Sequence, residues 1–240
     1  MSFVGDTLVT ARSFAEYQAM FALSREDLTG RILDCPAGAA DFVREVNTRG
    51  GRAVACDAVY VGRSTEELAA IARAETDRGN TYVRDHAEDY VWRFFSTPDD
   101  HHDSRRESVR GFAADVARNP GHYVPGKLPS LPFTDSAFDL VVSSHLLFSY
   151  TDRLDHEFHV DAITEMLRVA VREVRIFPLV PMGSTEIYKG MDSLRDHLST
   201  LGVDTNIFPV DYEFQRNADH MLVCTHTPRS VTPSGDAPSR

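Results

Sequence analysis

Asp34 and Asp57 bracket the stretch whose residue types point most directly to chemistry, RILDCPAGAADFVREVNTRGGRAVACD from Arg31 to Asp57. A carboxylate roughly 20 positions after a glycine turn can accept both hydroxyl hydrogens of a ribose diol, which makes Asp57 a nucleotide-cofactor ligand. Pro36, Ala37 and Gly38 place no bulky side chain above the turn, so the backbone there can approach a ligand closely. Farther along, His145 follows an apolar run, and a histidine near its ordinary pKa of about 6.5 is a usable base at neutral pH. His159, with His156 and Tyr150 nearby, offers the same chemistry, and Tyr212, Glu213 and Gln215 are polar groups that a late hairpin could bring in. His101 and His102 beside Asp100 and Asp103 have the residue types of a metal site. Adjacent histidines point in different directions on a helix, however, and a solvated turn is the simpler expectation. Cys35, Cys56 and Cys224 lack paired metal-ligand spacing and read as small, buried, reduced residues; no metal is expected.

The elements that would position these groups follow from the pattern. Arg31 to Asp34 is a short buried strand, Asp41 to Thr48 a helix with Phe42 and Val46 four apart, and Gly50-Gly51 stops it before a strand from Ala53 to Cys56. Ahead of them, Ser13 caps a helix to Leu23 with Phe14, Tyr17, Met20 and Phe21 at spacings of three and four. More than sixty residues then separate Asp57 from the next strand near Tyr123, far more than a parallel crossover needs, so a helical insert of about 60–120 is expected. It holds helices from Ser64 to Arg78 and from Pro98 to Asn119. Between them, Tyr82, Tyr90, Trp92, Phe94 and Phe95 would either line a lid over an apolar pocket or glue the insert to the domain. A short strand at His122 to Val124 precedes a Pro- and Gly-marked loop, then come strand Phe138 to Ser143, helix His159 to Val169 and strand Glu173 to Phe177. The described order closes with helix Asp192 to Leu201 and strands Asn206 to Val210 and Met221 to Thr225.

Taken together, these segments resemble the class I S-adenosylmethionine-dependent methyltransferases, with a likeness to small bacterial-type members. Asp34 stands at the acidic position of that family's first motif and Gly38 at its central glycine, with Pro36 and Ala40 replacing the outer two. The turn Leu131, Pro132, Phe133, the strand Phe138, Asp139, Leu140, Val141, Val142, Ser143, and the run EMLRV before the next strand resemble the family's adenine loop, fourth strand and following helix. The resemblance covers roughly residues 10–226, interrupted by the insert. It implies an α/β fold, a Rossmann-like doubly wound, seven-stranded, mostly parallel sheet with a helical insertion between the second and third strands and an antiparallel last strand. It further implies S-adenosylmethionine as cofactor and S-adenosylhomocysteine as product, held by Asp34, Pro36, Ala37, Gly38, Asp57, Ala58, Lys127, Leu128, Ser143 and Ser144. Lys127 occupies the place where the family commonly has an aspartate for the adenine amino group, and a protonated lysine accepts no hydrogen bond, so backbone near Lys127 and Leu128 would hold adenine instead. In such proteins the leading helix often closes over the cofactor, which makes Tyr17 a contact, although packing is the simpler account. Methyl transfer is an in-line displacement, for which His145 and then His159 are the candidate bases, with a rate titrating between roughly pH 6 and 8.

Composition limits the alternatives. The 240 residues are 42% hydrophobic and 25% charged, ordinary for a soluble globular chain, and suit a single domain over 1–227 followed by a Pro-, Ser- and Gly-rich disordered tail at 228–240. A net charge of -11 repels phosphate backbones and anionic lipid, which argues against nucleic acid or a membrane surface as partner and leaves a small, partly apolar methyl acceptor. No basic leader precedes an apolar run and no apolar stretch approaches 18 residues, which gives a cytoplasmic expectation. The remaining readings are a protein or RNA methyltransferase, a protein that binds the cofactor without turnover, and a dinucleotide oxidoreductase. The last would want a fuller glycine set, and Pro36 removes one backbone donor from the turn.

Overall fold

Short branched and apolar runs form the centre of the sheet. In the computed structural model, which describes residues 8–227, strands β1 (Arg31–Asp34), β2 (Arg52–Asp57), β3 (Tyr123–Pro125), β4 (Phe138–Ser144), β5 (Ala170–Phe177), β6 (Val203–Pro209) and β7 (His220–His226) make one seven-stranded sheet. Its order is β3-β2-β1-β4-β5-β7-β6, with β7 antiparallel to both neighbours and the other pairs parallel. This is the Rossmann-like, doubly wound arrangement expected from the resemblance, including the antiparallel last strand. The strand order reverses between β1 and β4, and the carboxyl ends of the strands at such a reversal leave a crevice for a ligand. The segment read as a tail, 228–240, lies outside the described residues.

Strand alternation divides the core into two layers. Ile32, Leu140 and Val142 face a cluster that includes helices α1 (Phe14–Met20), α2 (Phe42–Thr48), α3 (Thr65–Asp85) and α4 (Pro98–Arg118). Leu33 and Val141 face the opposite way, onto α5 (His156–Val169) and α6 (Met191–Thr200). The helix starts follow local chemistry. Ser13 and Ser64 form complete capping boxes with Glu16 and Glu67, and Thr97 and Asp155 accept from backbone amides at the starts of α4 and α5. Gly50, at φ +87°, ends α2 in the left-handed region that glycine adopts at low cost.

The insert is α3 and α4 with the aromatic connection between them, and that connection packs onto the loop between β6 and β7. Tyr90 stacks on Phe214 at 4.5 Å, Trp92 and Phe95 meet Phe214 edge-on, and Phe94 meets Tyr212. Val91 N–H donates to the Phe214 carbonyl at 2.8 Å, and the Trp92 indole N–H donates to Ala87. Of the two expectations for this patch, the structure therefore gives the glue; only Tyr82 stands apart, exposed and stacked on His86. His101 is a second difference. It is buried and lies flat on Phe214 at 4.7 Å, because α4 turns it inward, and burial with the nearby Arg105 charge pushes its pKa down to about 2.

A buried ion cluster ties these parts together. Glu16 on α1, fully buried, receives both terminal nitrogens of Arg105 on α4, the Tyr212 hydroxyl at 2.8 Å and the Ser13 amide at 2.9 Å. Burial alone would raise its pKa, but Arg105 outweighs burial and holds the carboxyl far below the usual range. Removing one partner of such a pair leaves an uncompensated charge inside, so Arg105→Ala should lower unfolding free energy by about 3 to 5 kcal/mol in denaturant titration. Because the folded-state pKa of Glu16 is depressed, its contribution is complete above the unfolded value of about 4.3 and is lost only as pH falls toward the folded value. Glu16→Gln should flatten that acid limb; an unchanged acid limb would assign it to other carboxylates. Trp92→Ala should cost about 2 to 3 kcal/mol, less than a full core deletion because the ring is half-buried. A fluorescence-independent melt reads that loss, and the ligand affinities of the folded variant should stay as in the wild type.

Candidate functional site

The reversal point holds a cavity of about 310 Å³, at the lower end of small-molecule pockets. The ends of β1, β2 and β4 supply Pro36, Gly38, Asp57, Ala58, Ser144 and His145. The loop after β3 supplies Gly126, Lys127 and Leu128, and the chain before α1 crosses it as Leu8, Val9 and Thr10. An apolar flank is formed by Leu146, Tyr150, Leu154 and Phe158. Seven of the ten residues that the resemblance assigned to the cofactor, Pro36, Gly38, Asp57, Ala58, Lys127, Leu128 and Ser144, thus line one cavity.

The turn itself is held rigidly. Asp57 accepts the Gly38 amide on one oxygen and the Val59 amide on the other, both at 2.8 Å, while the Tyr60 hydroxyl donates to the Gly38 carbonyl at 2.7 Å. Burial raises the Asp57 pKa against these two hydrogen bonds. Gly38 has φ +57°, and a Cβ there would come within 2.8 Å of the Thr10 carbonyl oxygen, so the crossing segment rests directly on the turn. A Cβ on Gly126 would meet the Cys56 sulfur at 2.7 Å, a second point where only glycine lets the backbone close in. The crossing segment is tethered by hydrogen bonds as well. Leu8 N–H donates to the Tyr150 hydroxyl, Val9 N–H to Glu75, and the Thr10 carbonyl accepts from Ala39.

Every amide from Ala37 to Asp41 already donates within the protein. Ala37 gives to the Cys56 carbonyl, Gly38 to Asp57, Ala39 to Thr10, Ala40 to Ala37 and Asp41 to Arg12; Pro36 has no N–H. A phosphate cradle needs such donors pointing outward. This turn therefore offers close approach without anion binding.

Three of the assigned cofactor residues lie elsewhere. Asp34 faces the α1 layer by strand alternation, where the Tyr17 hydroxyl donates to it at 3.2 Å, and burial pushes its pKa well up. Tyr17 is accordingly a packing residue, outside the cavity lining. Ala37 is buried in the turn, and Ser143 points with Val141 into the opposite layer, its hydroxyl buried without a partner. His159 also falls outside the cavity: its Nε2–H donates to the Leu147 carbonyl at 2.9 Å and its ring stacks on Phe148. That arrangement is structural, and its sequence signal was the four-residue spacing to Ile163 on the buried face of α5. Tyr212 is engaged by Glu16, Gln215 donates to the carbonyls of Pro181 and Ser184, and His156 pairs with His197; none of the three lines the cavity, and neither does Glu213.

His145 does line the cavity. It follows β4 at φ +52°, its amide donates to the Phe177 carbonyl at 2.8 Å, and Nδ1 lies 2.8 Å from Ser144 Oγ. Burial, then the charge of Arg12, drives its pKa well below the usual histidine value. The shift runs against the titration expected between pH 6 and 8, because burial favours the neutral ring. The tautomer with Nδ1–H donating to Ser144 leaves a lone pair on Nε2. Sequence reading passed over Thr10, and read Cys35 as a small buried residue only, yet both line the cavity, because their placement depends on the crossing segment and the β1–β2 pairing.

No family model matches the chain. An uncharacterized protein of Methanocaldococcus jannaschii is 28% identical over 220 residues, covering 91% of this chain and 96% of that one. Among solved structures, a SAM-dependent methyltransferase from Aquifex aeolicus is similar at 11% identity, 83% of each chain and a TM-score of 0.41. A Burkholderia thailandensis 1,6-didemethyltoxoflavin-N1-methyltransferase, solved with S-adenosylhomocysteine, is similar at 10% identity, 83% of this chain, 72% of that one and a TM-score of 0.46. Magnesium protoporphyrin IX methyltransferase from Synechocystis PCC 6803, with bound SAM, is similar at 12% identity, 84% and 73% coverage and a TM-score of 0.46. No helix among the described residues is long and apolar enough to cross a membrane.

The depressed pKa of His145 has a direct readout. In two-dimensional NMR of ring-labelled protein, its imidazole shifts should stay constant between pH 6 and 8, while exposed histidines titrate. A midpoint near 6.5 would show that the ring is solvated and the burial is wrong.

Proposed function

We propose that the protein is an S-adenosylmethionine-dependent methyltransferase acting on a small, partly apolar acceptor. The observation that carries the reading is the turn between β1 and α2. Its glycine is pressed against the crossing chain, all its amides from Ala37 to Asp41 are taken, and a buried carboxylate, Asp57, ends the next strand at the same cavity. A dinucleotide would bring a pyrophosphate to a turn with no donor for it and with Asp57 beside it. A sulfonium nucleoside brings a ribose diol for Asp57 and a positive charge that carboxylates favour.

The cavity's residues fit such a cofactor on this reading. Asp57 keeps further lone pairs on both oxygens beyond those used by Gly38 and Val59, enough for two hydroxyl hydrogens. Backbone at Gly126, Lys127 and Leu128 walls the side where adenine would lie, with Lys127 unable to accept from its amino group while protonated. Bound there, the cofactor supplies an electrophilic methyl group. The chain's own contribution is alignment: Leu146, Tyr150, Leu154 and Phe158 exclude water and favour an acceptor with an apolar part. His145 on the wall would take the proton on Nε2 if the acceptor carries one, and the burial that lowers its pKa makes it a weak base for that step.

Titration calorimetry with S-adenosylmethionine, S-adenosylhomocysteine and NAD tests the cofactor class. Binding of the first two and none of NAD is expected, and a preference for NAD would end the reading. Asp57→Ala should weaken S-adenosylhomocysteine binding by about 1.5 to 3 kcal/mol, the loss of charge-assisted hydrogen bonds. Incubating the protein with methyl-labelled cofactor and cell extract, then separating by size, should place the label in the small-molecule fraction; label in protein or RNA would change the acceptor class, and no transfer would leave a binding protein.

A further inference from the structure

Burial makes a doubly protonated ring costly at His145, so a base at this place needs somewhere to send the proton it takes. The wall supplies a route. His145 Nδ1 lies 2.8 Å from Ser144 Oγ, and Ser144 acts in turn as a hydrogen-bonding side chain on the Tyr17 hydroxyl, in the sense that favours the phenolate oxygen. The Tyr17 hydroxyl donates to Asp34 Oδ1 at 3.2 Å. Four polar groups thus form one chain from the cavity wall to the interior.

Strand geometry explains why these groups meet. Asp34 pairs with Val142 across β1 and β4, and Ser144, two residues on, projects to the same face of the sheet, where Tyr17 of α1 is packed. Tyr17 and Asp34 are both buried and lie outside the cavity lining, so they act on a ligand only through His145. Asp34 Oδ2 is buried with no hydrogen-bond partner. Burial raises the Asp34 pKa well up against the Tyr17 hydrogen bond, and the Asp57 charge adds to the rise. A carboxyl kept only for structure would have both oxygens paired; one left open and more basic than usual is a place to hold a proton.

We propose that Ser144, Tyr17 and Asp34 form a proton relay that lets His145 act as a base without holding two protons, and that the acceptor therefore carries a dissociable O–H, N–H or S–H proton. The proposal rests on the methyl-transfer reading above. As the acceptor's lone pair takes the methyl carbon and the carbon–sulfur bond breaks with its electrons onto sulfur, the acceptor's proton passes to His145 Nε2. The Nδ1 proton passes to Ser144 Oγ, the Ser144 hydroxyl proton to Tyr17, and the Tyr17 proton to Asp34. The ring ends as its other neutral tautomer and both hydroxyls are re-formed. The positive charge that the reaction would leave on the acceptor is cancelled on the Asp34 carboxylate. The charges acting on His145 are those of Arg12, Glu16 and Arg105, a net positive set that opposes a histidinium and leaves a neutral tautomer undisturbed.

Nitrogen-15 NMR of ring-labelled protein, without ligand, reads the tautomer of His145. Wild type should be Nδ1–H. Tyr17→Phe should turn the ring toward Nε2–H, because the Ser144 hydroxyl, having lost its acceptor, donates to Nδ1 instead; a Tyr17 that only packs would leave the tautomer as it was. Asp34→Asn still accepts from Tyr17 but takes up no proton. It should keep Nδ1–H and the wild-type affinity for S-adenosylhomocysteine, while cutting transfer from methyl-labelled S-adenosylmethionine to an acceptor in cell extract by at least about tenfold. An Nε2–H wild type overturns the relay without any variant, and so does an unmoved tautomer in folded Tyr17→Phe or full transfer by Asp34→Asn. Label released as methanol by mild alkali, the mark of a methyl ester whose acceptor had no proton to give, overturns it too. A wild type that binds S-adenosylhomocysteine but transfers nothing also overturns it, whereas one that binds neither S-adenosylmethionine nor S-adenosylhomocysteine ends the cofactor reading itself.

Discussion

The buried carboxylate of Glu16 is the constraint on which the upper edge of the sheet depends. It is reached from three places far apart in the chain, by Arg105 of the insert, by Tyr212 of the β6–β7 loop and by the Ser13 amide that starts α1. None of these elements belongs to the sheet, and each would otherwise be joined to it mainly through apolar contact, which fixes distance more than orientation. A desolvated, multiply hydrogen-bonded charge has few acceptable geometries, so it fixes the angle of α4 and the height of the loop together. The aromatic patch then fills the space this defines, with Phe214 in contact with Tyr90, Trp92, Phe95 and His101.

From that arrangement follows the path of the chain before α1. Arg105 also donates to the Ala11 carbonyl, and the Thr10 and Arg12 carbonyls receive amides from the turn at Ala39 and Asp41. The crossing segment is thus caught between the insert and the glycine turn, which is why it lies over the crevice. The cavity is shaped by groups fixed before any ligand arrives: Asp57 between two amides, Gly38 between Asp57 and Tyr60, His145 against Ser144. Preorganisation of this kind reduces the ordering that binding must otherwise impose.

Much of this was legible in the sequence where the cause is local. Strand β1 and the helix starts at Ser13 and Ser64 are set by branched apolar runs and by serine-to-glutamate capping spacing, and the structure places them within a residue or so of the pattern. Asp57 and Gly38 were legible as a pair because a turn and a strand end suffice to define them. What was not legible depends on distant partners. The inward turn of His101 and the engagement of Trp92 by Phe214 are fixed by a residue more than a hundred positions away, and periodicity on one helix does not reveal them. Ser143 and Asp34 are a different case. Their alternation with Val141 and Ile32 places both off the cavity wall, so a family position defined by strand end alone assigned side chains that the pleat turns elsewhere.

Charge gives the last step. The chain carries a net charge of -11, yet the Glu16 cluster sets two buried arginines against one carboxylate, and the turn between β1 and α2 has no free amide from Ala37 to Asp41 to offer an anion. At the cavity, the turn and Asp57 together disfavour an anion at the strand ends. Burial, and after it the charge of Arg12, disfavours a histidinium at His145 on the same wall, so the cavity is unfavourable both to an anion at the turn and to a doubly protonated ring beside it.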